Sequence, residues 1–405
     1  MSVTIPNTWR MIGRKLGGSK RIVRKLVTSV GVAACCIALA GCEASEPRPK
    51  QPLAAEKPPV TGKSSDLPRV DVHLHIDLRT AEEALSIMRE HKIVIGLNAS
   101  GGEPGRGLEQ SSEVARQSKG ALQPLCNVAL FGFDDPRYPA YVAQTLEACV
   151  ALGGKGLKIH KLLGLGLTDA QGALTPVDDP RLDVLFDTAG KLGLPVLIHS
   201  GDPKAFFEPP TPDNERYEEL RVHPGWSFYG SGPDGKPWPS WNELLDQHER
   251  RVARHPGTVF VGAHFGNAAE DPDRVSRMLK RYSNYVIDTA ARVPEFGRID
   301  PARMRAFFIE HQDRIMFGSD LAVSKHGLTL GSGGEKPGTR AESRDFFERQ
   351  FLYFETAGRR MPSPTPIQGN WTIDGIDLPL AVLKKLYAEN AARVFKLALT
   401  PTSSN

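Results

Sequence analysis

From Pro68 onward, short apolar runs rich in Val, Ile and Leu alternate eight times with longer segments of helical period. The runs begin near Val70 (VDVHLHI), Ile93 (IVIGLN), Leu125 (LCNVALF), Gly156 (GLKIH), Leu194 (LPVLIHS), Thr258 (TVFVGAH), Asn284 (NYVIDTA) and Arg314 (RIMFGSD). Between them the spacing predicts helices over 80–91, 109–119, 139–152, 180–192, 240–255, 272–282 and 301–311, with an eighth over 379–395. Prolines near several of these starts fit the first-turn preference of that residue. Strands that alternate with helices need parallel pairing, so the fold class is α/β, and eight units predict a (β/α)8 TIM barrel. An open doubly wound sheet is the runner-up, but no Gly-x-Gly-x-x-Gly turn follows the first strand.

Two connections are long: about forty residues after the fifth strand and nearly sixty after the eighth. Both leave strand C-termini, the face on which barrel enzymes build their sites, so they read as substrate-covering loops. Trp226, Phe228, Tyr229, Trp238 and Trp241 in the first, and Trp371 in the second, read mostly as pins that hold the loops to the barrel. The Gly331–Gly334 cluster reads as a flexible turn, since no Gly-Lys-Ser/Thr closes it as a phosphate loop.

The first 41 residues carry seven basic side chains and no acid, and an apolar run from Leu26 to Ala40 ends in Leu39-Ala40-Gly41-Cys42. A basic region followed by a short apolar run is the export pattern, and its end resembles the bacterial lipobox. Residues 1–41 are thus expected to be a lipoprotein signal peptide and Cys42 the lipidated residue. Residues 42–67 read as a Pro-rich tether, 68–397 as the catalytic barrel and 398–405 as a disordered tail. The expected location is the bacterial cell envelope, lipid-anchored and facing the periplasm. Loss of the leader turns the formal charge of +4 into −3. No basic stripe with interleaved aromatics remains, so nothing supports a nucleic-acid role and none is expected. Of the five cysteines only Cys126 and Cys149 stay in the barrel, and they are expected to be free buried thiols.

Chemistry-bearing residues end the strands. His73 and His75 stand two apart, so strand alternation turns both rings to one face. His199 ends the fifth strand, His264 the sixth and Asp320 the eighth; Lys158 and His160 end the fourth. An ionisable group at the end of an apolar strand is costly unless it is paired or binds metal. Such groups at the ends of five strands form a constellation.

The chain resembles the metal-dependent amidohydrolase superfamily, in its amidohydrolase 2 branch of aromatic-acid decarboxylases and lactonases. VDVHLHI, PVLIHSGDP, VFVGAHFGN, IMFGSDL and YAENAARVF carry the likeness, which runs from about Pro68 to Leu397. It implies His73, His75, His199 and Asp320 as metal ligands, Asp320 also as proton acceptor, and His264 as acid/base or electrophile. One divalent ion is expected, Zn2+ first, with Mn2+ or Fe2+ as alternatives. In binuclear members a carboxylated strand-four lysine bridges two metals; here Lys158 is expected to neutralise a substrate carboxylate beside one metal, with a carboxylated Lys158 and two metals as the alternative. Arg292 is a second candidate anion binder, with a surface salt bridge as its other reading.

The expected reaction is hydrolysis of an amide, ester or lactone of a small substrate. Non-oxidative decarboxylation on the same ligands is the alternative. A non-catalytic binding lipoprotein is a third reading, weakened by the presence of every strand-end ligand. A homo-oligomer is compatible with the sequence.

Overall fold

The computed structural model describes residues 66–399. The leader, Cys42, the tether up to residue 65 and the tail from residue 400 lie outside the described residues. Among the described residues no helix is long and apolar enough to cross a membrane.

The architecture is α/β with parallel strands. We number the strands β1 (Arg69–Ile76), β2 (Ile93–Asn98), β3 (Leu122–Pro124), β4 (Leu157–Ile159), β5 (Val196–Ile198), β6 (Phe260–Gly262), β7 (Tyr285–Asp288), β8 (Ile315–Met316), β9 (Leu321–Ser324) and β10 (Gly327–Leu330). They form two five-stranded sheets, β10-β9-β1-β2-β3 and β4-β5-β6-β7-β8, in which only the β9–β10 pair is antiparallel. Backbone bonds run between the sheets on both sides. Cys126 N–H donates to Gly156 O and Lys158 N–H to Cys126 O, each 2.8 Å, while Val72 N–H donates to Phe317 O at 3.1 Å. Strands covered on both faces need apolar residues at nearly every position, and β4 to β8 are buried throughout.

The helices lie where their period and caps put them. Ser240, Asp271 and Asp300 each accept a backbone N–H three residues on, and Pro272 and Pro301 open the helices that follow. The closing segment runs Leu380–Lys384, Lys385–Glu389 and Asn390–Phe395, with a π-type turn in its middle. Its Ala388, Ala391 and Phe395 close a small core built from Val70, Val72, Leu97, Leu197, Val261 and Met316.

Three expectations are corrected. The third strand pairs through Leu122–Pro124 rather than from Leu125 onward, with only Cys126 of the predicted run bridging to Leu157. The long connection after β8 is not simply a loop; it contains β9, β10 and the helix Arg340–Glu355, which opens on a Thr339/Glu342 capping box. Cys126 and Cys149 are not free thiols but a disulfide. Gly154 makes room for it: a Cβ there would stand 2.3 Å from one sulfur and 2.5 Å from the other.

Candidate metal centre

His73 is fully buried on β1, where the register against β2 shifts between Asp71 and Leu74. Its Nδ1–H donates to Asp288 Oδ2 at 2.9 Å, which leaves the Nε2 lone pair facing inward. Lys158 Nζ donates to that lone pair at 3.0 Å. His75 Nδ1 is bonded to Ser100 Oγ at 2.8 Å, so its Nε2 also faces inward. Asp320 Oδ1 lies 3.6 Å from His73 Nε2 and 3.5 Å from His75 Nε2. His73, His75 and Asp320 bring one ligand atom each within 4.8 Å of one another.

His199 stands outside that group. Its Nε2–H donates to Asp202 Oδ1 at 3.3 Å, leaving Nδ1 as the free nitrogen, and its ring lies 4.3 Å from the ring of His264. The His264 Nδ1–H is committed to Ala290 O at 2.9 Å, so Nε2 is the nitrogen it offers, and its ring is 4.8 Å from that of His73. His264 and Asp320 both have left-handed backbones, φ 55° and 63°, which side-chain-bearing residues rarely adopt. Asp320 is held there by its N–H donating to His73 O at 2.9 Å.

Burial sets the charge states. It holds the imidazoles of His75 and His264 well below their usual value, helped by neighbouring cations, and brings His199 down to about 4. Burial raises the carboxyl of Asp320, against the pull of His73, Lys158 and Arg292. Lys158 is lowered by burial to about 8, against the pull of Asp288 and Asp320. Asp288 is held below its usual range, since His73, Lys158 and the His264 N–H outweigh its burial.

This donor set fits a divalent cation. It offers neutral imidazoles and a carboxylate, and two of the imidazoles are fixed by buried carboxylates, Asp288 on His73 and Asp202 on His199. Such outer carboxylates fix the tautomer and raise ligand basicity.

Arg292 is not the surface salt bridge of its second reading. It is 6 % exposed, donates to Ala291 O at 2.9 Å and makes no ion pair among the described residues. Lys158, 2 % exposed, likewise makes no ion pair among them. The fifth-strand connection is linked to the site through Trp226, which stacks on His223 and lies 4.7 Å under Lys161 Nζ, itself paired with Asp202 at 2.8 Å. His223 Nε2–H donates to Gly333 O at 2.8 Å, so the glycine cluster is tied to this connection.

The sequence reading missed Asp288 and Asp202. Both sit in strand-end runs, VIDTAAR and PVLIHSGDP; the available signal was a carboxylate directly after buried apolar residues for Asp288, and one three residues past His199 for Asp202.

A model of the family described as amidohydrolase matches residues 119–397, a span that includes Lys158, His199, His264 and Asp320 but not His73 or His75. No curated protein matches the sequence. Among solved structures, 2,6-dihydroxybenzoate decarboxylase from Rhizobium is 15% identical, with 82% of this chain and 99% of that one covered and a TM-score of 0.47. Dihydroxybenzoic acid decarboxylase from Polaromonas sp. JS666, with bound manganese and the inhibitor 2-nitroresorcinol, gives 15%, 82%, 97% and 0.47 in the same order. For 4-oxalomesaconate hydratase from Rhodopseudomonas palustris the values are 12%, 79%, 82% and 0.44. With more than half of its residues matched by the family model, this chain belongs to the amidohydrolase family.

Proposed function

We propose that this protein is a metal-dependent hydrolase that cleaves an amide, ester or lactone bond of a small carboxylated substrate. One divalent ion, zinc before manganese or iron, would be held by His73, His75, His199 and Asp320. A divalent ion bound there supplies Lewis acidity and lowers the pKa of a bound water toward about 7. Asp320 takes the proton from the attacking water and returns it to the leaving group. His264 presents Nε2 to the reacting carbonyl, its other nitrogen being committed to Ala290 O. Lys158 and Arg292 hold the substrate carboxylate.

The observation that carries this reading is that pair of buried cations. Neither has an ion-pair partner among the described residues, and both act electrostatically on Asp320 and His264. A buried charge without a partner is costly, so an anionic ligand is the expected counterpart. The same pair favours one second reading, decarboxylation, in which the anchored carboxylate is itself the group lost. Turnover of lactones, amides and hydroxybenzoates in 18O-water separates the two: hydrolysis puts one 18O into the product, whereas decarboxylation releases carbon dioxide without doing so. If zinc-loaded protein turns over no member of that panel, the hydrolase reading fails.

We read the two sheets as halves of one closed (β/α)8 barrel, supported by the backbone bonds of Cys126, Lys158 and Val72 across both seams. We also propose export to the cell envelope on a lipid anchor at Cys42. The Cys126–Cys149 disulfide supports an oxidising compartment.

A further inference from the structure

A cleft of about 360 Å3 opens between the loops that follow β3 and β4. Its walls are Leu130, Phe131, Leu162 and Leu167, and it reaches Lys158 and His160. Those two residues join it to the metal centre: Lys158 is bonded to His73, and the His160 ring lies 6.1 Å from that of His75. Phe131 is 68 % and Leu162 49 % exposed, two of the six large apolar side chains that stand exposed among the described residues. Singly, an exposed apolar side chain is ordinary. Two on one cleft that ends at reactive groups present an apolar surface that no described residue covers. The charged side chains of the rim, Glu103 and Arg106, pair with each other at 2.9 Å and leave no net charge there.

We propose that this cleft binds an uncharged apolar substituent of the substrate, an alkyl chain or a single ring joined to the group held at the metal centre; the assignment rests on the metal-site reading above. The volume holds roughly a dozen small non-hydrogen groups at about 30 Å3 each. A volume of that size suits a small molecule, since ligand pockets run from about 300 to 1,000 Å3. Specificity is thereby divided: Lys158 and Arg292 select the carboxylate, and Phe131 and Leu162 select the chain beside it.

The test uses straight-chain hydroxamates, which chelate the metal whatever the reaction is. Binding of acetohydroxamate, butanohydroxamate and hexanohydroxamate to the zinc-loaded protein is measured by titration calorimetry. A buried methylene is worth about fourfold in affinity, so with partial burial hexanohydroxamate is expected to bind roughly thirtyfold tighter than acetohydroxamate. The double variant Phe131→Ser, Leu162→Ser is expected to bring that ratio below about threefold. Both side chains are exposed, so little packing is lost. Val150→Ser, at an exposed residue outside the cleft, is expected to keep the full ratio. Equal affinities along the series in the unaltered protein, or a ratio that survives the double substitution, overturn the cleft assignment and leave the metal centre standing. A series in which no member binds overturns the metal centre and the cleft with it.

Discussion

Asp288→Asn is the substitution on which the metal reading is most exposed. The carboxylate is fully buried and accepts three N–H groups: His73 Nδ1 on Oδ2 at 2.9 Å, and the backbones of His264 and Ala290 on Oδ1 at 2.8 and 3.1 Å. An asparagine whose oxygen keeps the two backbone bonds turns its amide N–H groups toward His73. The imidazole must then accept at Nδ1 and carry its proton on Nε2, which removes the lone pair that faces Asp320 and His75. Loss of such an outer partner costs about 10- to 100-fold in metal affinity, and enforcement of the wrong tautomer argues for the upper end, about 2.7 kcal/mol. Zinc affinity is read at pH 7 by competition with a chelating dye, and urea unfolding confirms that the variant is folded. An affinity within threefold of the unaltered protein would refute the placement of His73 Nε2 at the metal.

Three further predictions rest on separate parts of the molecule. Cys149→Ser is expected to lower stability by about 3 kcal/mol in urea unfolding, since the disulfide closes a 23-residue separation; an unchanged midpoint would mean that the thiols are free. His248 is fully buried between Ser200 and Tyr285, and burial lowers its imidazole to about 3 from an ordinary 6.5. Below pH 6.5 the unfolded chain gains a proton there that the folded chain refuses, so stability falls with acid by up to about 1.4 kcal/mol per pH unit until about pH 3. His248→Phe is expected to flatten that slope by one proton in unfolding curves between pH 4 and 7. Lys158→Met and Arg292→Met are each expected to raise KM for a carboxylated substrate tenfold or more while its uncharged ester is affected less, on the order of one charge-assisted hydrogen bond; equal effects on both substrates would remove the anion-binding role.

Much of the layout was legible because it depends on local period. His73 and His75 share a face by strand alternation, and the helices opened by Pro272 and Pro301 begin where a first-turn proline belongs. The helix Arg340–Glu355 was legible too and was missed: Phe347, Phe351 and Phe354 recur at helical spacing behind a Thr339/Glu342 capping box. The third strand misled for a local reason. The apolar run begins at Leu125, yet pairing is made by Leu122, Gln123 and Pro124 against Gly96, Leu97 and Asn98. Asp288 and the disulfide are different in kind. Asp288 meets a histidine 215 residues away, and the Cys126–Cys149 bond depends on space left by Gly154. Asp288 itself could be read at its strand end, but the partners of Asp288 and of the cysteines are not encoded in a window that periodicity can read.

The same long-range carboxylate links the site to the strain around it. Of the ten described non-glycine residues with positive φ, five (His264, Phe265, Asn267, Ala291 and Asp320) lie just past the ends of β6, β7 and β8. Each left-handed residue costs roughly 1–2 kcal/mol, so surrounding bonds must hold these turns in place. Asp288 Oδ1 supplies two of those bonds, at His264 and just before Ala291, while Oδ2 aims His73. One buried side chain therefore orients an imidazole and pins two turns that carry His264 and Arg292 toward the same space. The two jobs use different oxygens, so they are separable. Asp288→Asn keeps the backbone bonds and is expected to lose metal affinity with little loss of fold. Asp288→Ala removes the acceptor of His73 Nδ1–H and of the two buried backbone N–H groups, and is expected to lose stability as well, by about 1–3 kcal/mol for each backbone group left unpaired.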